Sequence, residues 1–310
     1  RLEWCATLDD QTRARICAVG HRDFGKTSIA TVWADRQLAM RLSRHILYTS
    51  SEEKIAIRRT NIMRSHLVNA DIRAMFGNFR PLKNNQHTAT FAKDGWYLVD
   101  PRTKVPFAAV QPRGSNQTVN GSIAEVNGEF VRPDLILNDD GQSRRHINNQ
   151  DVRRVYEEWL DNELANTVDI DHQPDANTFR WNLKPGERAP WRNVMFDTVK
   201  HSQCSVEKFR RKKSWHFFFA PLAKETEPGK YVSLHPDFMS DEGVMQLYRE
   251  NILNPRLWAN EYLCEPKITG GEHFRLDMFQ HVDAASEVKS RRALLKYLVV
   301  DPAHTVSENS

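Results

Sequence analysis

Short apolar runs alternate along the chain with stretches whose apolar positions recur every three or four residues. The runs predict buried strands over 15–19, 45–48, 135–137, 194–196 and 215–219. The periodic stretches predict helices over 27–42, 151–165, 241–250 and 255–263, and another that ends near Leu67. This alternation is typical of βαβ units, so the predicted fold class is α/β, with a mostly parallel central sheet flanked by helices.

Turn-forming and capping residues add local detail to this outline. Residues 96–100 and 106–110 are predicted to pair as a hairpin around Pro101, and 115–129, rich in Gly, Asn and Ser, to form a loop. Ser50 or Ser51 is a candidate N-cap for the helix that ends near Leu67.

One predicted helix has a clear amphipathic pattern. We expect Val155, Trp159 and Leu164 to form the apolar face of the 151–165 helix. The stretch 169–190 that follows is irregular in pattern, and the last predicted strand, 296–301, ends on Asp301.

The composition is that of a soluble, globular chain. Of its 310 residues, 40% are hydrophobic and 27% are charged. No apolar run approaches the roughly 20 residues that cross a bilayer, so we expect no membrane partner. The four cysteines form no CxxC pair, which favours reduced thiols over a zinc site or a disulfide framework.

Charge gives only weak guidance about partners. A net charge of +4 does not by itself indicate a nucleic-acid partner. The basic clusters at 208–213 and 289–292 are more often solvated surfaces, and they support such a partner only if other features indicate it.

The segment between the first strand and the first helix fits the phosphate-binding pattern GxxxxGK[ST] at every fixed position. The glycines allow a sharp turn that directs backbone amides at phosphates, and the following helix presents its positive end to the anion. Lys26 would place a charge on the β- and γ-phosphates of ATP, and Thr27 a hydroxyl on Mg²⁺. A chance match in a glycine-containing turn is the alternative. The residues predicted to bind nucleotide are Gly20, His21, Arg22, Asp23, Phe24, Gly25, Lys26, Thr27 and Ser28.

Arg22, in the middle of that segment, has two interpretations. It is either a surface arginine or a residue that touches the γ-phosphate and stabilises charge in the transition state. We slightly favour the second, which makes Arg22 a candidate catalytic residue.

Two carboxylates, Asp139 and Asp140, follow the 135–137 strand. Adjacent aspartates are more often a turn or a helix cap, but ligands of open α/β sheets gather at the carboxyl ends of strands. With a phosphate-binding segment upstream, we predict that Asp139 binds Mg²⁺ through water and that Asp140 is the base or its neighbour. A metal-dependent hydrolase centred on this pair is weaker because no third ligand stands nearby.

The order and spacing of these segments resemble the large terminase subunit of tailed bacteriophages, the ATP-driven DNA-packaging motor. The similarity covers most of the chain, and the phosphate-binding segment is its one specific motif. The segments that resemble the family are 18–30, 46–50, 132–140, 233–236, 258–263 and 297–303.

The resemblance implies a P-loop NTPase fold followed by the first strand of a ribonuclease-H-like nuclease domain. It divides the chain into an ATPase core over 1–230, a connecting or lid subdomain over 231–290, and the start of the nuclease domain over 291–310. Asp301 would bind a second divalent metal in that domain.

The activity implied by the resemblance is Mg²⁺-dependent ATP hydrolysis that moves double-stranded DNA into a viral capsid. The motor would grip DNA mostly through phosphates, with the 208–213 cluster as a candidate contact. The implied partners are the portal protein, the small terminase subunit and further copies of the chain. The implied location is the host cell cytoplasm.

Two candidate catalytic positions depart from the family pattern. Gln142 stands where many relatives have a glutamate that is a candidate for activating water, and an amide is a poor base. Either Asp140 serves instead, or hydrolysis is slow, or Gln142 is an engineered change. The family's coupling motif has glycine and threonine followed by histidine; here Thr198 and His201 fit, and Asp197 replaces the glycine. An ordinary strand-end threonine and a surface histidine are about equally consistent.

The ends of the chain and these departures leave other functions open. The chain starts at Arg1 rather than Met and ends nine residues after Asp301, so we expect a fragment that does not cut DNA. An isolated nuclease is therefore disfavoured. The remaining rivals are another P-loop motor, such as a helicase, and a nucleotide-binding assembly subunit without efficient turnover, which Gln142 favours.

Overall fold

The computed structural model of the protein describes residues 2–81, 91–92, 95–168, 183–184 and 187–266. The chain divides into two units, Arg1–Lys267 and Ile268–Ser310, and all the described residues belong to the first. The predicted strand over 296–301, which contains Asp301, lies outside the described residues, as does most of the 169–190 stretch.

The strands fall into one large sheet and two small hairpins. The described strands are β1 (Arg15–Gly20), β2 (His45–Ser50), β3 (Trp96–Val99), β4 (Pro106–Gly114), β5 (Ala124–Val126), β6 (Glu129–Val131), β7 (Leu135–Asp139), β8 (Arg192–Asp197), β9 (His216–Ala220), β10 (Ala223–Glu227) and β11 (Lys230–Ser233). The large sheet has seven strands in the order β3-β4-β2-β7-β8-β1-β9. Strands β5 and β6 pair with each other, as do β10 and β11.

Every neighbouring pair in the large sheet is parallel except β3 and β4 at one edge. One strand, β8, lies between β1 and β7, with Cys17 opposite Met195 and Leu137 opposite Val194. Because parallel strands end at the same edge, the residues that follow β1, β7 and β8 converge there.

Helices cover both faces of the sheet. The described helices are α1 (Leu2–Asp9), α2 (Lys26–Ala39), α3 (Glu53–Leu67), α4 (Ala70–Phe76), α5 (Arg144–Asn148), α6 (Gln150–Glu158), α7 (Ser205–Arg211), α8 (Asp241–Glu250) and α9 (Pro255–Leu257), with π-helices at Trp159–Leu164 and Trp258–Tyr262. The predicted class, α/β with a mostly parallel central sheet flanked by helices, is confirmed. No helix in the described ranges is long and apolar enough to cross a membrane.

The two faces of the sheet pack into separate apolar clusters. Ile46 and Tyr48 of β2 pack on the side of α1, α2 and α3, whereas Leu47 packs on the side of α6, the first π-helix and α7. All six residues of β2 are buried. Burial on both faces explains why these strands read as continuous apolar runs rather than as alternating patterns.

A third apolar cluster lies outside the large sheet. It joins β10, β11, α8 and the second π-helix through Tyr231, Val244, Trp258 and Tyr262. The rings of Tyr231 and Trp258 are 5.1 Å apart between centroids, in an edge-to-face arrangement. This cluster places the second π-helix beside the loop that follows β1, since the amide of Arg22 donates to the Glu261 carbonyl at 2.7 Å.

Several local predictions need correction. Ser50 is the last residue of β2, and α3 follows Glu52, whose side chain makes no capping bond, so neither Ser50 nor Ser51 is the N-cap. The predicted 115–129 loop contains β5 and the start of β6, because a turn with positive φ at Asn127 and Gly128 folds this stretch into a hairpin.

The predicted 151–165 and 255–263 helices each change to π-helix partway along. Trp159 and Leu164 are buried as expected, but Val155 is 46% exposed. The buried face is formed by Tyr156, Trp159 and Leu160, at α-helical spacings of three and four residues, and Val155 lies beside this face.

Candidate functional site

The loop between β1 and α2 turns through two residues in the left-handed region. Asp23 has φ 64° and Gly25 has φ 87°. Gly25 is also the N-cap of α2, and no side chain caps that helix end. The first turn of α2 therefore leaves backbone amides available to a ligand such as phosphate.

The rings of Trp4, Phe24 and His21 pack together against this loop, and we call this group the aromatic floor. Phe24 is buried, with its ring centroid 4.6 Å from that of Trp4 in α1. A Cβ on Gly20 would lie only 3.2 Å from the Phe24 ring and 3.3 Å from Trp4. Glycine at position 20 thus allows the rings to close against the backbone.

His21 belongs to the same aromatic floor. Its ring lies 5.3 Å from Phe24, 5.5 Å from His235 and 5.8 Å from Phe238, measured between centroids. Burial lowers the pKa of the His21 imidazole to about 4, so the ring is neutral at pH 7. The side chains of His21 and Phe24 therefore shape the loop, and neither lines the adjacent cavity.

Lys26 folds back onto the loop that precedes it. Its ammonium donates to the carbonyls of Gly20 at 3.2 Å and His21 at 2.9 Å. Burial lowers the pKa of Lys26 from its usual value. The side chain lines the cavity, so a bound anion would compete with these two carbonyls for the ammonium.

Thr27 and Asp139 meet although they are 112 residues apart in sequence. The Thr27 hydroxyl donates to Asp139 Oδ1 at 3.1 Å, and the Tyr48 hydroxyl donates to Asp139 Oδ2 at 2.8 Å. Burial raises the pKa of Asp139, which is 2% exposed at the end of β7. A threonine hydroxyl beside a strand-end carboxylate is a suitable pair of ligands for Mg²⁺.

A cavity of about 410 Å³ opens at the carboxyl edge of β1, β7 and β8. This volume falls within the range of pockets that bind small molecules. Three cationic and three anionic side chains contribute to its wall. The lining residues are Arg22, Asp23, Gly25, Lys26, Thr27, Ser28, Asp140, Thr198, Lys200 and Glu261.

Arg22 lies on the rim of this cavity and is paired there. Its guanidinium donates to Glu261 Oε2 at 3.0 Å, and the Arg22 side chain is 52% exposed. Arg22 is therefore a surface arginine, as in the first interpretation, but it lies on the rim of the cavity, as the second requires. A phosphate in the cavity would compete with Glu261 for this guanidinium.

Asp140 is held by a lysine that the sequence patterns did not single out. The Lys200 ammonium donates to Asp140 Oδ1 at 2.7 Å, to Asp197 Oδ1 at 2.8 Å and to the Gln142 carbonyl at 2.7 Å. The signal in the sequence is Asp197, an acidic residue at the end of an apolar strand, which needs a positive partner when it is buried.

The charges of this triad follow from its geometry. Burial raises the pKa of Asp197 to about 6, in spite of the Lys200 ammonium beside it. Burial alone would lower the pKa of Lys200, but Asp197 and Asp140 raise it above its ordinary value. Burial alone would raise the pKa of Asp140, but Lys200 lowers it. Lys200 is therefore positively charged, and Asp140 is negatively charged at neutral pH.

Gln142 does not face the cavity. It is 1% exposed, and its Oε1 accepts hydrogen bonds from the Ser205 amide at 3.0 Å and the Ser205 hydroxyl at 3.3 Å. The glutamine side chain thus binds the start of α7. This geometry gives no support to Gln142 as a candidate catalytic residue, because its side chain does not line the cavity.

The two matching residues of the coupling motif lie in different places. Thr198 lines the cavity, whereas the His201 ring accepts a hydrogen bond from the Gln203 amide at 2.9 Å and does not line it. Asn260 of the second π-helix donates to the Lys200 carbonyl at 2.9 Å. The stretch that follows β8 is therefore hydrogen-bonded to the second π-helix.

The residues present fit a magnesium ion bound together with a nucleotide. Within the described ranges, no group of three or more His, Cys, Asp or Glu side chains could hold a metal. Mg²⁺ usually binds one or two carboxylates and keeps waters or substrate phosphates as its other ligands. Thr27 and Asp139 would supply the protein ligands.

The basic cluster at 208–213 is largely engaged in ion pairs. Lys208 pairs with Glu157, Lys212 pairs with Asp161 at 2.8 Å, and the Arg210 guanidinium lies 5.2 Å from the Phe219 ring centroid. These contacts leave less free charge for DNA phosphates than the sequence indicates.

Neither a scan against models of protein families nor a search of curated proteins finds a match for this chain. Sequence patterns and site geometry therefore carry the functional interpretation.

Proposed function

We propose that this chain is a P-loop ATPase, with a P-loop NTPase fold, that hydrolyses ATP with Mg²⁺. The observation that carries the proposal is the 3.1 Å contact between Thr27 and Asp139 beside a cavity that Lys26 lines. A GxxxxGK[ST] match arising by chance would not be expected to meet a strand-end carboxylate from 112 residues away.

Each residue of the site has a role in the proposed reaction. Lys26 would bind the β- and γ-phosphates, and Thr27 and Asp139 would hold Mg²⁺. Bound Mg²⁺ neutralises phosphate charge. A water oxygen bonds to the γ-phosphorus while the bond to the bridging oxygen breaks, ADP keeps that electron pair, and both protons of the water end on inorganic phosphate. Asp140, which lines the cavity, would orient that water.

A steady-state ATPase assay with Lys26→Ala tests the proposal. We expect turnover to fall by about a hundredfold or more, because the substitution removes the main phosphate-facing charge. Lys230→Ala is the matched control, since Lys230 of β11 is 67% exposed, pairs with Glu227 of β10 and does not line the cavity. If wild type and Lys26→Ala are equally inactive in this assay, the proposal is contradicted.

We further propose that hydrolysis drives double-stranded DNA into a viral capsid, as the resemblance to large terminase subunits implies. In that role the chain works in the host cell cytoplasm, with further copies of itself, the portal protein and the small terminase subunit. Double-stranded DNA should stimulate turnover, and the stimulation should weaken steeply with salt because phosphates dominate the contact. A helicase would instead respond to single strands and separate a duplex.

One observation favours a second function, a nucleotide-binding assembly subunit with little turnover. The Gln142 side chain is committed to Ser205, so the position expected to activate water contributes nothing to the cavity. Under this alternative ATP binds to wild type and not to Lys26→Ala, yet neither hydrolyses it. Measuring binding alongside turnover separates the two functions.

A further inference from the structure

Lys200 connects the ends of two neighbouring strands at the mouth of the cavity. Its three hydrogen bonds reach Asp140 after β7, Asp197 at the end of β8, and the carbonyl of Gln142. An ammonium has three N–H donors, so these contacts use all of them. The Lys200 side chain is 20% exposed, which leaves it little freedom to move.

The two carboxylates that Lys200 binds differ in exposure. The Asp197 side chain is 1% exposed, whereas the Asp140 side chain is 58% exposed and lines the cavity. Asp197 therefore anchors the lysine, and Asp140 is the group that the lysine presents to the cavity. The backbone supports the same arrangement, because the Asp140 amide donates to the Phe196 carbonyl at 2.9 Å.

We propose that Lys200 is a positioning residue for ATP hydrolysis, which holds the Asp140 carboxylate at the place where it orients the attacking water. Asp140 Oδ1 is used by Lys200, and the exposed remainder of the carboxylate serves the water. This inference rests on the proposed ATPase function. It assigns to Asp140 and Lys200 together the task that Gln142, turned toward Ser205, does not perform.

Two other roles for Lys200 make different predictions. A lysine that binds the terminal phosphate directly would act on nucleotide affinity, because its charge would be felt in the bound state. A lysine that only neutralises buried Asp197 would act on stability, because an unpaired buried charge is costly. A positioning residue acts on kcat and leaves affinity nearly unchanged.

The test compares Lys200→Met and Lys200→Arg with wild type. ATP hydrolysis gives kcat and KM, and equilibrium binding of ATP without Mg²⁺ gives an affinity that does not depend on turnover. We expect Lys200→Met to lower kcat by about tenfold to a hundredfold, with KM and the ATP affinity within about threefold of wild type. Lys200→Arg should recover part of kcat, since it keeps the charge. Lys230→Met, at an exposed ion pair on β11, is the matched control.

A double variant separates positioning from stability. Lys200→Met leaves Asp197 buried without its cation and is expected to lower Tm. Asp197→Asn combined with Lys200→Met removes that unpaired charge, so Tm should recover while kcat stays low, because Asp140 still lacks its partner. Recovery of both Tm and kcat would overturn the proposal in favour of a structural lysine.

The remaining outcomes are also decisive. A rise in KM and loss of ATP affinity at unchanged kcat would make Lys200 a phosphate ligand and overturn its positioning role. If Lys200→Met folds and keeps the wild-type kcat, the positioning role of Lys200 is also overturned, but the ATPase proposal is not affected. If wild type hydrolyses no ATP and resembles Lys26→Ala, the proposed function fails first and the inference falls with it.

Discussion

His45, the first residue of β2, shows how one buried side chain sets a pH limit on stability. It is fully buried, and its Nδ1 lies 3.2 Å from the Val131 carbonyl. Burial lowers the pKa of the imidazole to about 4, so the folded protein keeps the ring neutral where an unfolded chain, with a pKa near 6.5, would take up a proton. The stabilising contribution is present above about pH 6.5 and is lost as the pH falls toward 4.

We therefore predict that His45→Gln flattens the acid side of the stability profile. The wild-type free energy of unfolding should fall by up to about 1.4 kcal/mol per pH unit from this residue within that window, or about 3 kcal/mol in all. Urea unfolding between pH 4.5 and 7.5 measures the difference between the two proteins. His21 contributes with the same sign and cancels in that difference. Parallel profiles for variant and wild type would contradict the prediction.

Contacts between single residues were predictable only where a motif fixes both partners. The phosphate-binding pattern and the strand-end aspartates predicted that Thr27 and Asp139 share a site. Nothing in the local pattern predicted that Gln142 turns toward Ser205, because α7 supplies that partner from 63 residues away. Lys200 was missed for a related reason, since its importance depends on two acids brought together by the ends of β7 and β8.

At the scale of elements, α1 packs against the phosphate-binding loop without contributing to the wall of the cavity. Trp4 is 1% exposed, and its ring packs on Phe24 of the loop at 4.6 Å and edge-to-face on Phe218 of β9 at 5.3 Å between centroids. The helix therefore supports the phosphate-binding loop through the aromatic floor. Loss of this support should affect both the core and the loop.

We predict that Trp4→Ala lowers the free energy of unfolding by about 3–5 kcal/mol and also weakens ATP binding, since Phe24 loses its packing partner. Trp96→Ala on the edge strand β3 is the matched control, because Trp96 is equally buried in the same cluster but lies far along the sheet. Denaturant unfolding and nucleotide titration on both variants measure the two effects. Equal ATP affinity in Trp4→Ala and wild type would contradict a role for α1 in the site.

Strands that read as continuous apolar runs were the most predictable, because such a run can be recognised without knowing which residues pack against it. Strands β1, β2, β7, β8 and β9 and the β3–β4 hairpin match the predicted positions to within a few residues. The helix α1 was missed because its eight residues are too few for a clear period. The β5–β6 hairpin was misread as a loop, although Asn127-Gly128 is a strong hairpin signal.

At the scale of the whole described unit, the cavity lies where the large sheet meets the third apolar cluster. Loop residues after β1, β7 and β8 form most of its wall, and Glu261 of the second π-helix closes one side. The Arg22 amide donates to the Glu261 carbonyl at 2.7 Å, and the Arg22 guanidinium donates to the Glu261 carboxylate at 3.0 Å. This contact between Arg22 and Glu261 could not be predicted from the sequence, because 239 residues separate the two.

The ion pair between Arg22 and Glu261 leads to a prediction about nucleotide affinity. Glu261 neutralises Arg22 and adds a negative charge to a site that is proposed to bind a polyanion. Glu261→Gln should therefore raise ATP affinity about fivefold, the effect of roughly 1 kcal/mol expected for one charge in a solvent-exposed setting. Stability should change by less than about 1 kcal/mol, because the ion pair is exposed.

Calorimetric titration of ATP into Glu261→Gln, wild type and a double variant measures this coupling. If the gain arises from freed Arg22, Arg22→Ala combined with Glu261→Gln should lose most of it. If the gain arises only from the removed negative charge, the double variant should keep it. Glu227→Gln, at an exposed pair on β10, controls for a general change in charge. Weaker ATP binding in Glu261→Gln would instead mean that the carboxylate holds the loop in its binding shape, and Arg22 would then serve the site through that contact.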